Sequence, residues 1–436
     1  MPARGACLQP SQGDTSRHTV ASIALIPKIV RVNLLRRHPI AITLVALVLL
    51  SSFTPLPPLV DAVSGASPPD ADLVRPTLYT VLAPISNLLD ALTFLTVERA
   101  KALLFTWMAV LALWTLWELR RRVSLAPRLL AAALATLVVP LAGVAAVLLP
   151  RPVPRLVTTD SSFTVIDYHA HTAASHDGRH GWTLADLASW HAAQGFEASY
   201  VTDHNIVFDR PPLLGDAIRL LPGVEWSVDG QHIVALGGVA PVDRAAFSRD
   251  TRAALGLFAE LHREGAIGIA SLPEYWRNAW DDVDAFVAAG VDGFEIVNCA
   301  PKAIGFPATA RERIVALAAS HDLLVVGATD NHGWGKVTCL WNLSSPGAHG
   351  YRANRVVARP IALAQADWQP WTAGFTQPWL MLQGLSLSER SSWLTWILVI
   401  LIYRAVPRRA GDPGGIGILA RSLSLKILKL KRPAAS

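Results

Sequence analysis

Apolar residues are concentrated in a few long runs in the first third of the chain and near its C-terminus. Residues 40–60 and 129–150 contain no charge, and each run is long enough to cross a hydrocarbon core of roughly 30 Å as a helix. Residues 102–117 and 391–403 are shorter, but their tryptophans suit the membrane interface, and a snorkelling Arg404 could extend the last run. The pattern predicts about four transmembrane helices, with a buried or interfacial helix as the alternative for the two shorter runs.

Lysine and arginine flank these runs unevenly, and positively charged loops stay in the cytoplasm. Six basic residues precede the first run, residues 120–122 read "RRR", and eight Lys and Arg follow residue 403. An alternation of in, out, in, out, in satisfies these flanks and places residues 151 to about 390 outside the cytoplasm. The expected location is therefore a bacterial-type inner membrane with a periplasmic domain. The polar stretch before the first run does not resemble a cleavable signal, so this run is interpreted as a retained anchor.

The distribution of charge and the hydrophobic pattern divide the chain into segments. The net charge of +6 lies mostly in the cytoplasmic flanks, so it does not indicate nucleic-acid binding; the bilayer is the expected partner. The predicted segments are 1–38, a basic cytoplasmic N-terminus; 39–150, a membrane region with three transmembrane helices; 155–365, a globular domain; 366–390, a linker; 391–406, the fourth transmembrane helix; and 407–436, a basic cytoplasmic tail.

The globular segment alternates short β-like runs with amphipathic helical stretches. The helical stretches cover residues 183–194, 249–264, 279–289 and 308–321. This alternation predicts an α/β fold with a parallel sheet, closed or nearly closed into a distorted (β/α)7-type barrel. The seven predicted strands are 163–168, 198–203, 220–225, 232–237, 266–271, 293–298 and 323–330.

Side chains that bind metals recur where these strands end. His169 and His171 close the first strand, and a period of two points both the same way. Loops at this face of a parallel barrel converge on one place, and imidazoles and carboxylates there suit zinc, manganese or iron. Asp203 is expected to orient an imidazole rather than to bind a metal. His232 begins the fourth strand, and the other candidates at strand ends are His204, Glu225, Glu295, Asp330 and His332.

The order "DYHAH…SHDG", "TDHN", "GVE…H", "GFEIVN" and "TDNH" resembles the polymerase and histidinol phosphatase (PHP) family of metal-dependent phosphoesterases over roughly residues 160–335. The resemblance implies two or three divalent metal ions and hydrolysis of phosphate esters. It implies one metal on His169, His171, Glu225 and Asp330, a second sharing Glu225 and adding His232, and a third on Asp177, His204 and His332. His169, His171, Glu225, Asp330 and His332 are the implied catalytic residues.

One position departs from the family pattern. The family has a histidine ligand of the second metal in the turn after the fifth strand, where this chain reads "IASLPEYW" with Leu272. Leucine cannot bind a cation, so this metal site is expected to be vacant or weak. Two other readings stay open: Glu274 reaches in, or a shift of register by one brings Ser271 to the site.

Three features leave more than one interpretation open. Arg179, Arg277, Lys302 and Lys336 stand near strand-end loops and are substrate-binding candidates, although a solvated surface charge explains each of them. Cys299 and Cys339 could pair in an oxidising compartment or stay unpaired. The preferred function is a membrane-anchored phosphoesterase; an amidohydrolase-type metal hydrolase and a non-catalytic metal or ligand sensor are the alternatives.

Overall fold

The fold is built around one large curled sheet. The computed structural model describes residues 38–119, 126–207, 218–238, 240–279, 283–345, 350, 352–364 and 369–405. A ten-stranded sheet has the order β1-β12-β11-β4-β5-β6-β7-β8-β9-β10, and β2 pairs with β3 in a separate ladder. The strands are β1 (Val60–Asp61), β2 (Ala71–Val74), β3 (Arg155–Thr158), β4 (Thr164–Asp167), β5 (Ala198–Val201), β6 (Arg219–Val228), β7 (Gln231–Leu236), β8 (Ile267–Ala270), β9 (Gly293–Asn298), β10 (Leu324–Ala328), β11 (Leu340–Ser344) and β12 (Asn354–Ala358).

Helices cover the sheet and form the apolar N-terminal third of the described residues. Their apolar faces build the main core, in which Phe258, Phe286 and Phe294 pack edge to face. The helices are α1 (Pro39–Leu50), α2 (Thr77–Val81), α3 (Ala83–Thr93), α4 (Val97–Leu119), α5 (Ala126–Thr136), α6 (Val138–Leu148), α7 (Leu184–Ala193), α8 (Arg244–Phe247), α9 (Thr251–Arg263), α10 (Leu272–Ala279), α11 (Val283–Ala288), α12 (Ala308–His321), α13 (Pro360–Leu363), α14 (Ala373–Gln383) and α15 (Leu387–Ala405).

The seven predicted strands correspond to β4 through β10, but the sheet is not entirely parallel. β7 runs antiparallel to both β6 and β8, whereas β4-β5-β6 and β8-β9-β10 are parallel. Asp229 and Gly230 connect β6 to β7 with φ values of 45° and 68°. Positive φ at both central residues is typical of a tight hairpin turn, which joins neighbouring strands without a crossover helix. The prediction of an all-parallel sheet was wrong at this hairpin.

The expected seven-unit barrel is instead a half-barrel. No ladder joins β4 to β10 among the described residues; a single bridge between Ala170 and Asn331 links the residues that follow them. β11 pairs with the free edge of β4, and Asn342 on β11 donates to the carbonyls of Ile166 and Gly327 at 3.0 and 2.8 Å. Side-chain amide hydrogen bonds therefore hold the first and last of the seven strands together.

Two helices, not about four, are long and apolar enough to cross a membrane within the described residues: Val97–Trp117 and Leu129–Leu148. The first apolar run is helical only over Pro39–Phe53. Pro55, Pro57 and Pro58 follow, and proline both lacks the amide donor and disfavours helix in the residue before it. This run was therefore wrongly predicted to extend as a helix to residue 60.

The fourth predicted span also does not qualify by itself, because its helix is not apolar over its whole length. α15 begins with a polar turn in which Glu389 and Arg390 are buried, so its apolar part starts only at Trp393. It passes as a span only together with Pro370–Gln383, from which it is bent by 115°, and this pair would bring the number of spans to three. α14 lies within the predicted linker, 366–390. The predicted N-terminal segment before residue 38 and the tail from 407 lie outside the described residues.

Residues 50–393 form one compact unit, and residues 38–49 and 394–405 belong to another. Within the larger unit, buried ionic contacts join α3 and the segment after α6 to the end of β12. Asp90 on α3 accepts hydrogen bonds from Tyr79 at 2.8 Å, Arg151 at 3.1 Å and Arg359 at 3.2 Å. Phe94 packs into the main core beneath the guanidinium of Arg359. The outer ends of α3 and α6 are therefore part of the same folded unit as the sheet.

Candidate metal centre

All eight predicted ligand residues come together at one edge of the sheet. This edge is formed by the carboxyl ends of β4, β5 and β10 and by the middle of β6, where Glu225 lies opposite His204 in a β-bridge. Chain segments leaving parallel strands converge there, which explains why residues far apart in sequence meet. The eight residues are His169, His171, Asp177, His204, Glu225, His232, Asp330 and His332.

The first predicted group has the spacing of a metal shell. His169 Nε2 and His171 Nε2 are 2.9 Å apart, and Glu225 Oε2 lies 3.2 and 3.3 Å from them. Asp330 Oδ1 is 3.7 Å from the first of these nitrogens and 3.2 Å from the second. Ligand bonds of 2.0–2.1 Å at a tetrahedral angle separate ligand atoms by about 3.4 Å. The atoms of His169, His171 and Glu225 therefore fit around one ion, and Asp330 Oδ1 lies near both imidazole nitrogens.

The third predicted group forms a triangle of the same size. His332 Nε2 lies 3.1 Å from Asp177 Oδ1, His204 Nε2 lies 3.5 Å from the same oxygen, and the two nitrogens are 3.4 Å apart. Unlike the first group, this one reaches the surface, because the Asp177 side chain is 45% exposed. The triangle therefore offers an ion open coordination positions toward solvent.

The second predicted group is the sparsest. His232 Nδ1 lies 2.5 Å from Glu225 Oε1, and the nearest carboxylate beyond it is Glu274 Oε2 at 3.8 Å. Leu272 is 2% exposed and belongs to the main apolar core, so no imidazole completes this group from the turn. Ser271 does not reach it either, because its hydroxyl donates to Glu295 at 2.7 Å. Of the two readings that were left open, the contacts favour Glu274.

Outer contacts orient three of the imidazoles. His169 Nδ1 contacts Glu295 Oε1 at 2.6 Å, His171 Nδ1 contacts Ser175 Oγ at 2.9 Å, and His332 Nδ1 contacts the Asp330 carbonyl at 3.0 Å. The carboxylate and the carbonyl can only accept, so there the proton sits on Nδ1 and leaves the Nε2 lone pair for a metal. The same tautomer thus suits both His169 and His332.

Asp203 supports the site through an intermediary rather than by touching an imidazole. Its carboxylate accepts from the Thr172 amide and hydroxyl, both at 2.7 Å, and from Ser175 Oγ at 3.0 Å. Ser175 also accepts from the His204 amide at 3.0 Å, so its own proton is committed to Asp203 and its oxygen is left for His171 Nδ1–H. The prediction that Asp203 orients an imidazole is thus met indirectly, through Ser175.

Buried polar atoms without hydrogen-bond partners mark the interior of the cluster. Both carboxylate oxygens of Glu225, Nδ1 of His204 and Oδ1 of Asp330 are buried and lack a partner of suitable geometry, although other ligand atoms are near. Such atoms cost free energy unless something satisfies them, and a cation would do so. Asp330 also has a φ of 48°, a left-handed conformation that is costly for a non-glycine residue and concentrates at functional sites. The residues present therefore fit a bound cation.

Electrostatics keep the acids of the cluster ionised. Burial would raise the pKa of Glu225 and of Asp330, but the neighbouring imidazoles, His169 foremost, outweigh it and hold both pKa values well below their usual range. Burial, together with His332, lowers the pKa of His171 to about 4. For His332, burial is outweighed by Asp177 and Asp330, which raise its pKa to about 9. Ionised carboxylates and a neutral His171 suit a divalent ion, and His332 would release a proton on binding one.

The basic substrate candidates lie around the cluster rather than in it. Arg179 stacks over the Trp182 ring at 4.7 Å. Burial of the Lys336 side chain, together with the positive charge of Arg179, lowers the pKa of Lys336. Lys302 Nζ donates to Glu274 at 2.9 Å and lines the cavity beside the cluster. Arg277 belongs to α10, but its side chain lies outside the described residues. Lys302 is therefore the candidate that the structure places at the cavity.

Several supporting residues had no clear sequence signal. Asn298 bridges Glu295 and Asp330, donating at 3.2 Å to each. Asp167 accepts from the Thr329 hydroxyl and amide and lies 2.8 Å from His191, which is fully buried on α7. Asp167 immediately precedes the His-x-His region, and that position is the only hint of its role. Cys299 and Cys339 form a disulfide, which resolves the open question about their pairing.

No family model matches the sequence, and no curated protein matches it. Among solved structures, a protein described as a metal-dependent phosphoesterase from Bifidobacterium adolescentis is 21% identical, covers 43% of this chain and 92% of its own, and has a TM-score of 0.30. PsfC from Pseudomonas syringae is 18% identical over 44% of this chain and 85% of its own, with a TM-score of 0.32. An amidohydrolase from Chromobacterium violaceum is 17% identical over 45% and 93%, with a TM-score of 0.30. At these identities and TM-scores, the likenesses do not establish an activity.

Proposed function

We propose that this protein is a membrane-anchored, metal-dependent phosphoesterase of the PHP type that hydrolyses phosphate mono- or diesters. The observation that carries the proposal is the joint geometry of two groups of ligand atoms. His169, His171, Glu225 and Asp330 have the spacing of one metal shell, and Asp177, His204 and His332 have that of another. Both groups belong to one cluster, and Asp177, Asp330 and His332 line the same cavity.

The number of ions follows from the completeness of each group. The first group offers four ligand atoms and the third offers three, so two divalent ions are expected to bind tightly. Near His232 stand Glu225, His204 and the more distant Glu274. His204 also belongs to the third group, so the ion at His232 is expected to bind more weakly. Imidazole and carboxylate ligands suit zinc, manganese or iron.

The division of labour follows from these positions. Bound divalent ions would supply an activated water and clamp the phosphoryl oxygens. The imidazoles fixed through Nδ1 hold those ions in place, and the exposed Asp177 leaves the third group open to an incoming phosphate. Lys302 stands at the cavity wall, where its ammonium can pair with a phosphate oxygen.

An extracytoplasmic location of the site is part of the proposal. α4 and the α5–α6 pair would form a membrane hairpin, which puts residues 50–96 and 149–364 on one side of the bilayer. The arginines at 120–122 in its tip favour the cytoplasm for that tip. The disulfide between Cys299 and Cys339 favours an oxidising compartment for the domain.

The decisive test combines metal analysis with turnover by the full-length protein in detergent. We expect zinc or manganese to be retained and 4-nitrophenyl phosphate or its bis-ester to be cleaved, with both properties lost in Asp330→Asn. Glu312→Gln, an exposed carboxylate on α12, is the matched control. Cleavage of aryl amides but not of phosphate esters would support the amidohydrolase alternative, and tight metal without turnover of either would support the sensor.

A further inference from the structure

The cavity beside the metal cluster reaches the membrane helices. It encloses about 410 Å³, which is within the range of small-molecule sites. Asp177, Asp330 and His332 line one part of it. Thr93, the last residue of α3, and Val147, near the end of α6, line another part. One wall of the candidate active site is therefore built by the membrane region.

An apolar groove adjoins this cavity. It lies between the outer ends of α4 and α6, encloses about 470 Å³ and shares Thr93, Val147 and Pro301 with the cavity. The groove therefore leads from the space between the two spans to the metal cluster. Its lining includes Leu95, Val97, Leu103, Leu104, Val139 and Gly143.

A crevice between two spans is ordinarily filled by bilayer lipid, and alone it would say nothing about a substrate. Here the crevice adjoins the cavity of the proposed catalytic site and shares three lining residues with it. The buried Phe94 and the Asp90–Arg151 ion pair anchor this junction in the folded unit. Lys101 lines the groove and Lys302 the cavity, so two cations stand along this passage. Apolar walls that lead to cations and metal ligands match a molecule with an alkyl chain and a phosphate head.

Building on the proposed function, we propose that the substrate is an amphiphilic phosphoester of the bilayer. Its phosphate enters the cavity at the metal cluster, and its hydrocarbon chain stays in the groove between α4 and α6. Moving one methylene from an apolar surrounding into water shifts an equilibrium roughly fourfold. If the chain lies in a groove that faces the bilayer, the head group can reach the ions while the methylenes of the chain stay in apolar surroundings and are not exposed to water.

Chain length gives the first test. The full-length protein in lipid nanodiscs is assayed for phosphate release from butyl phosphate and from dodecyl phosphate. We expect kcat/KM to be at least about tenfold higher for the dodecyl ester, which two fully buried methylenes would already produce. Equal values for the two esters would overturn the inference.

Gly143 allows the groove to be filled selectively. A Cβ built on this residue meets no atom within 4 Å, so Gly143→Phe places its ring in open space within the groove. We expect this variant to lose the preference for dodecyl phosphate over butyl phosphate. Val144→Phe is the matched control, because Val144 is 56% exposed and does not line the groove. A retained preference in Gly143→Phe contradicts the inference.

Photo-cross-linking tests the site without turnover. Dodecyl phosphonate with a terminal diazirine is compared with the corresponding diazirine alcohol, and labelled residues are mapped by mass spectrometry. We expect labelling of Leu104 and Val139 that depends on the phosphonate and is lost in Gly143→Phe. If the phosphonate-dependent labelling is observed while no phosphate ester is cleaved, the amphiphile site is supported and the proposed phosphoesterase activity is refuted. If butyl phosphate is cleaved but the two probes label the protein equally, the phosphoesterase activity is supported and the amphiphile site is refuted.

Discussion

Glu295 offers a test of the metal centre in which no predicted ligand residue is substituted. Its carboxylate is buried, contacts His169 Nδ1 at 2.6 Å and accepts from Ser271 at 2.7 Å and from Asn298 at 3.2 Å. Glu295→Gln keeps the shape of the side chain and an oxygen that can face Nδ1–H, but it removes the negative charge. We therefore expect the fold to persist and the metal held by His169 to bind more weakly.

The size of the effect can be bounded from the geometry. The carboxylate would lie about 6 Å from a divalent ion bound to His169 Nε2. At an effective dielectric constant of about 20, the attraction between this ion and a full negative charge on Glu295 is roughly 5 kcal/mol. The amide dipole of glutamine retains part of this. Outer-shell substitutions of this kind weaken metal binding by about 10- to 100-fold. We expect an increase of the metal Kd in that range, which equals about 1.4–2.7 kcal/mol.

The assay is competition for zinc between the purified protein and a chelator of known affinity. Glu312→Gln removes an exposed carboxylate and controls for the change in net charge. Thermal unfolding of the metal-free proteins controls for a loss of fold. If Glu295→Gln binds zinc within twofold of the wild type while its metal-free Tm is unchanged, His169 does not ligate the metal through the orientation argued above.

Four further expectations follow from the same structure. Asp330→Asn should abolish both tight metal binding and phosphoester turnover, measured by metal analysis and phosphate release, and full retention of either contradicts its assignment. Leu272→His should lower the free energy of unfolding by about 1–3 kcal/mol without adding a metal, because it places a polar ring in the apolar core; a gain of one bound ion contradicts this. Cys299→Ser should lower the stability by about 4 kcal/mol, the value for a closed loop of 40 residues, and thermal unfolding with and without reductant checks it. Reporter fusions at residues 125 and 370 should report opposite sides of the membrane, and a shared side refutes the proposed orientation.

The strands could be predicted because their apolar runs stop at polar residues, and the ligands could be predicted because they stand at those stops. The direction of β7 could not be obtained from alternation, which indicates a strand but not its partner. The Asp229–Gly230 pair at the hairpin was the available signal, since such a pair between apolar runs favours a tight turn. The number of spans was overestimated because hydropathy does not register the prolines after Phe53 or the burial of Glu389 in the domain.

The supporting residues of the site were harder to anticipate for a physical reason. Ser175 and Asn298 act through hydrogen bonds that depend on the final packing of three separate loops. A serine or asparagine in a loop is common, and nothing in its spacing distinguishes a structural partner of a ligand from a solvated side chain. Leu272 shows the reverse situation, because an apolar residue at an expected ligand position is informative from the sequence alone.

The way the half-barrel is closed has a consequence for how the molecule is assembled. Residues near position 170 and near position 330 meet through one β-bridge and a few amide hydrogen bonds, and the first ligand group straddles this seam. The seam can form only after almost the whole domain has been synthesised, so uptake of a metal would come late in maturation. An ion present at 100 times its Kd would add about 2.7 kcal/mol to the closed form. A bound metal would thus hold the two sides of the seam together. The fraction of protein that resists proteolysis at the seam would then measure the fraction that contains metal.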